Sequence, residues 1–145
     1  MFEKILVATD GSKHSEKAAR VGIEVAKLSG GKITAIYVAD TSKMSHLPDD
    51  MLLFSIRDLL IKEGNEAAAE VEAMSRDAGV PVDKVVAEGS PADEILDYAK
   101  KNGMDLIIIG SVGRTGLDKF LLGSVAEKVV RNSSMPVITV PGSAT

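Results

Sequence analysis

Five short β-rich apolar runs and four longer segments of helical period take turns along this chain, and few folds accommodate that order. The runs lie within residues 3–9, 33–38, 82–87, 106–109 and 137–140. The first of them, short and continuously apolar, reads as a strand buried on both faces. Between them, apolar positions recur every three or four residues, as they do along one side of a helix. A β-α-β-α-β-α-β-α-β order predicts one parallel sheet with right-handed crossovers and helices on both faces. Such a sheet binds ligands beyond the carboxyl ends of its strands, where the strand order reverses. Three stretches therefore hold the candidate site: Thr9 and Asp10, residues 38–40, and residues 110–124.

Local signals place the element ends. The first helix is expected to start at Ser12, to bury Ala18, Val21, Val25 and Leu28, and to stop at Gly30 and Gly31, which permit left-handed dihedrals. Residues 40–50, polar and containing His46 and Pro48, read as a long loop. Leu52, Ile56, Leu59, Ala67, Val71, Met74 and Ala78 then keep a helical period, with Gly64 as a candidate bend. Ser90, Pro91 and Asp93 supply a cap, a proline at the first helical position and a first-turn carboxylate. Leu106 to Ile109 is the most hydrophobic run and is expected at the centre of the sheet. Ser124 and Glu127 read as a capping box opening the last helix. The last run is fenced by Pro136 and Pro141 and belongs at an edge or in a contact between two chains.

Composition removes several function classes. At 145 residues the chain has the length of one domain, residues 1–145, able to bury roughly 70% of its unfolded surface. A net charge of −4, 3% aromatic residues and no Trp leave neither the basic footprint nor the stacking platforms of a nucleic-acid binder. Zero cysteines exclude disulfides, thiolate zinc sites, iron–sulfur clusters and a cysteine nucleophile. His14 and His46 lie far apart in polar surroundings and read as solvated side chains, neither near the candidate site. The first apolar run is too short for a signal peptide and no run reaches about 18 apolar residues, so a cytoplasmic protein without a membrane partner is expected.

The stretch from 110 to 124 carries the most specific chemistry. It reads Gly110-Ser111-Val112-Gly113, nine residues, then Gly123-Ser124. Glycines let backbone amides approach a phosphate, and a helix N-terminus at Ser124 and Val125 adds unpaired N–H groups and a positive dipole end. The same glycines could instead serve only a chain reversal. It is neither a Walker loop, since the one Gly-Lys pair, Gly31-Lys32, is followed by Ile33, nor a Gly-x-Gly-x-x-Gly fingerprint. Asp10, before Gly11, reads either as a turn residue or as a ligand contact.

The start Ala8-Thr9-Asp10-Gly11-Ser12, the spacing Gly-x2-Gly-x9-Gly-Ser and the ending Leu121-Leu122-Gly123-Ser124-Val125-Ala126-Glu127 with Pro136-Val137 resemble the universal stress protein family over the whole chain. The intact glycine pattern with its serine resembles the ATP-binding branch of that family. The resemblance implies a Rossmann-like five-stranded sheet in order 3-2-1-4-5, a homodimer, and ATP with Mg or Mn on its phosphates. By position it implies that Asp10 meets the ribose side, that the Val38 backbone meets adenine, and that Ala8 and Thr9 line the cleft. Gly110, Gly113, Gly123, Ser124 and Val125 would hold ribose and phosphates. The chain departs from many relatives in having Val112 where they have histidine.

The function so implied is a nucleotide-dependent, homodimeric regulatory switch in a stress response, acting on a downstream protein and paired through residues 137–140. The other readings are a slow ATPase or phosphotransferase, a binding module for AMP or cyclic AMP, and a ligand-free interaction module. No catalytic side chain and no protein metal ligand is named, because the candidate site offers no general base.

Overall fold

The computed structural model describes residues 1–42, 50–112 and 122–142. The elements are β1 (Lys4–Ala8), α1 (Lys13–Ser29), β2 (Lys32–Asp40), α2 (Asp50–Asp77), β3 (Val82–Gly89), α3 (Pro91–Lys101), β4 (Leu106–Gly110), α4 (Ser124–Asn132) and β5 (Val137–Val140). All strand pairs are parallel and the order is β3-β2-β1-β4-β5, as the family resemblance implies.

The central strand is β1, and Ile5, Leu6 and Val7 are all 0% exposed. Alternation splits its side chains between two layers. Ile5 and Val7 pack with Ala18 and Ile23 of α1 and Val71 of α2, while Leu6 and Ala8 pack with Ile95 of α3 and Val129 of α4. The more hydrophobic β4 lies one place from the centre, between β1 and β5. Apolarity reports only that both faces are covered, which holds for β1 and β4 alike.

Two local expectations give way to packing. The face of α1 that meets the sheet is Ala18, Ala19, Gly22, Ile23 and Ala26, whereas Val21 and Val25 are half-buried and Leu28 is 88% exposed. Small side chains win that face because the helix lies close to the strands: a Cβ on Gly22 would stand 2.6 Å from Val7 Cγ2. The expected stop is met, with Gly30 at φ 71 closing α1. Helix α2 runs unbroken through Gly64, so this glycine marks a close contact rather than an interruption: a Cβ there would lie 2.5 Å from Tyr37 Cδ1.

At the other edge, β5 pairs with β4 alone, as the flanking prolines predict for an edge strand. Among the described residues no helix is long and apolar enough to cross a membrane.

Candidate functional site

The carboxyl ends of β1, β2 and β4 open together into a cleft of about 430 Å³, within the usual span of small-molecule sites of roughly 300–1,000 Å³. It lies where the chain order reverses between β1 and β4. Of the residues singled out in the sequence, Ala8, Thr9, Asp10, Val38, Gly110, Gly123, Ser124 and Val125 all border it. Gly113 lies outside the described residues.

The β1 side is held by a short polar network. The Thr9 amide donates to the Ile36 carbonyl at 2.9 Å, extending the β1–β2 pairing by one residue. Its hydroxyl shares a 3.1 Å hydrogen bond with Ser15 Oγ and accepts from the Gly11 amide at 3.2 Å. Asp10 Oδ1 accepts from the Ser12 amide at 2.9 Å, and Ser12 Oγ, as the cap of α1, accepts from the Ser15 amide. The turn role of Asp10 is therefore filled by one carboxylate oxygen. Across the cleft, Val38 is half-buried and packs in the layer of Ile36 and Ile95.

The third side is the junction of β4 and α4. Ser111 is tied at both backbone groups, its amide donating to the Val140 carbonyl at 2.8 Å and its carbonyl accepting from the Gly123 amide at 2.6 Å. The capping box expected at Ser124 does not form, because the cap residue is Gly123 and Ser124 is already the first helical residue. The Glu127 amide donates to the Gly123 carbonyl as an ordinary helical bond, and the cap residue Gly123 has no side chain to cap this end. Among the described residues the first-turn amides of α4 are thus left without a side-chain cap, with the helix dipole adding a positive end. A Cβ on Gly123 would stand 3.0 Å from the Ser111 carbonyl oxygen, and one on Gly110 3.3 Å from that of Val112. Neither position has room for a side chain without local movement.

Further residues complete the wall, Ser111 and Asp40 from within the candidate stretches and Tyr37 and Leu60 from outside them. Ser111 Oγ is buried and has no hydrogen-bond partner among the described residues. Tyr37, Asp40 and Leu60 also border the cleft. Ser111 lies inside the glycine motif and could have been found there, whereas Tyr37 and Leu60 carry no signal beyond that of ordinary core residues. His14 sits in the first turn of α1 and does not border the cleft, though its backbone carbonyl oxygen lies 3.5 Å from where a Cβ on the cleft residue Gly110 would stand.

The charged side chains that border the cleft among the described residues are Asp10 and Asp40. An anion bound here would be met by backbone amides, a helix dipole and hydroxyls. The described residues hold no cluster of three or more His, Asp or Glu side chains suited to a metal. A buried orphan hydroxyl, uncapped helix amides and glycine positions closed to side chains together fit a phosphate group. A divalent cation would fit as the phosphates' companion, held chiefly by their oxygens and offsetting their charge beside Asp10 and Asp40.

Fold and cleft define a doubly wound α/β protein with an open helix N-terminus at its switch point. The chain belongs to the universal stress protein family, whose sequence model matches residues 1–141. It is 42% identical over 140 residues to universal stress protein MJ0531 of Methanocaldococcus jannaschii, covering 97% of this chain and 82% of that one. The solved structure of protein MJ0577, also from Methanocaldococcus jannaschii, superposes with a TM-score of 0.88 at 29% identity, covering 100% of this chain and 99% of that one. A universal stress protein solved in complex with cAMP superposes with a TM-score of 0.75 at 25% identity, covering 97% of this chain and 98% of that one.

Proposed function

We propose that this chain is a cytoplasmic regulatory protein of one domain that binds ATP with Mg or Mn and responds as a homodimer, with at most slow, metal-dependent ATP hydrolysis. The observation that carries the reading is the meeting, where β4 gives way to α4, of a buried Ser111 hydroxyl and a helix N-terminus that have no side-chain partner among the described residues. A buried hydroxyl without a partner costs about 1–3 kcal/mol, which a phosphate oxygen would recover. Ala8, Thr9, Asp10 and Val38 would take the nucleoside, with adenine between β1 and β2. Gly110, Gly113, Gly123, Ser124 and Val125 would take ribose and phosphates. The cAMP complex of a similar protein supports an adenine ligand in this fold.

The dimer would form through β5. Val137, Ile138 and Thr139 are half-buried in the lone chain, and one backbone edge of the strand faces no neighbour in the sheet. Two-fold antiparallel pairing of that edge is self-complementary and closes at two chains. Nucleotide occupancy would alter what the dimer presents to a downstream protein.

Native mass spectrometry of freshly purified protein, followed by calorimetric titration with ATP, AMP and cAMP, tests the reading. Carried adenine nucleotide and metal-dependent ATP binding agree with it. Preference for AMP or cAMP would keep the site and change the ligand, and binding of none would leave an interaction module.

A further inference from the structure

We infer that Gly64 is a positioning residue for the nucleotide base, acting through Tyr37 and Leu60; this rests on the proposed nucleotide function. A glycine within a helix costs about 1 kcal/mol relative to alanine, so its presence in the middle of α2 calls for a structural reason. The reason is contact. A Cβ on Gly64 would stand 2.5 Å from Cδ1, 3.0 Å from Cε1 and 3.1 Å from Cγ of the Tyr37 ring, so the ring lies directly on the helix backbone. Tyr37 is 5% exposed and packs with Ala39 and Ala67, with Leu60 against the same cluster.

Both Tyr37 and Leu60 border the cleft, on the β2 side where the base would sit. Leu60 is one helical turn before Gly64, so it moves with the helix at that point. A methyl group on Gly64 must displace either the ring or the helix. Each carries a residue of the same cleft wall: Tyr37 in the first case, Leu60 in the second. The absent side chain at Gly64 therefore sets how far this wall stands from β1 and thereby the room for a two-ring base.

The test reads base selectivity, which a loss of general stability would not change. Gly64→Ala should weaken ATP binding by about tenfold or more, equivalent to about 1.4 kcal/mol, while CTP, with its smaller base, loses less. Adding Tyr37→Leu to Gly64→Ala makes room for the methyl and should restore much of the ATP affinity. Leu60→Ala reshapes the same wall while keeping both Tyr37 and Gly64, and it should shift the ratio of ATP to CTP affinity. In a Tyr98→Phe background Tyr37 is the only tyrosine in a chain without Trp, so ATP should change its emission. Equal losses for ATP and CTP in Gly64→Ala, unrelieved by Tyr37→Leu, or an unchanged ratio in Leu60→Ala, would overturn the inference alone. A parent that binds no nucleotide would overturn the proposed function, and this inference with it.

Discussion

The Gly123 amide donates to the Ser111 carbonyl at 2.6 Å, tying the cap of α4 to the residue that follows β4. One short bond thus places the open helix end and the orphan Ser111 hydroxyl on the same side of the cleft. The phosphate reading depends on that geometry, because each donor alone is common in α/β proteins.

Gly123→Val should disrupt it. The new Cβ would crowd the Ser111 carbonyl at 3.0 Å and push α4 away from β4. Loss of two hydrogen bonds to charged oxygens, each worth about 1.5–3 kcal/mol, predicts at least about a hundredfold weaker ATP binding. Far-ultraviolet circular dichroism should stay the same. A variant that titrates like the parent would show that the phosphates lie elsewhere.

Ser111→Ala separates a ligand contact from a structural one. Without nucleotide, removing an unpartnered hydroxyl should leave the melting temperature unchanged or raise it. With nucleotide, the same variant should bind more weakly and gain less thermal stabilisation from ATP than the parent. A lower melting temperature without ligand would instead assign the hydroxyl a structural bond.

The ion pair between Arg57 of α2 and Glu88 of β3 gives a pH signature. Hydrogen bonding from Arg57 holds the Glu88 carboxyl below its ordinary value of 4.5, against a smaller opposing effect of desolvation. Arg57 Nη2 donates to Glu88 Oε2 at 2.9 Å. Because the folded value is depressed, the unfolded chain binds the proton first as pH falls. The pair's contribution is therefore present above about pH 4.5 and is lost as pH drops through the lower folded value. Denaturant midpoints of the parent and Glu88→Gln should differ slightly at pH 7 and converge in acid, since the pair is solvent-exposed. A difference that grows in acid would contradict the assignment.

Ile138→Lys should turn a dimer into a monomer in sedimentation equilibrium while ATP still binds. A lysine on β5 blocks edge pairing, and Ile138 itself does not border the cleft. A parent that sediments as a monomer at tens of micromolar, well above a dissociation constant of about 1 μM, would remove the dimer from the account.

Much of the fold was legible because strand and helix periods differ sharply and glycine or proline closes most elements. The α1 face was not. Large side chains attract attention in a sequence, yet beyond Ala18, which the helical period does place on this face, the close approach of α1 to Val7 selects Ala19, Gly22 and Ala26. Likewise Ser124 and Glu127 match a capping box, but the helix starts one residue earlier than that motif requires, with Gly123 as cap. At the site, backbone-directed residues such as Gly110 and Gly123 were readable from spacing. Tyr37 and Leu60 were not, since bordering a cleft leaves no mark on a residue that would serve equally well in the core.

Isothermal titration of the purified parent, stripped of any carried nucleotide, with ATP in the presence and absence of Mg tests the central claim most directly. The account predicts one ATP per chain, tighter with the metal, and turnover far below the roughly 10 per second typical of enzymes. No heat with ATP, AMP or cAMP under either condition would contradict it.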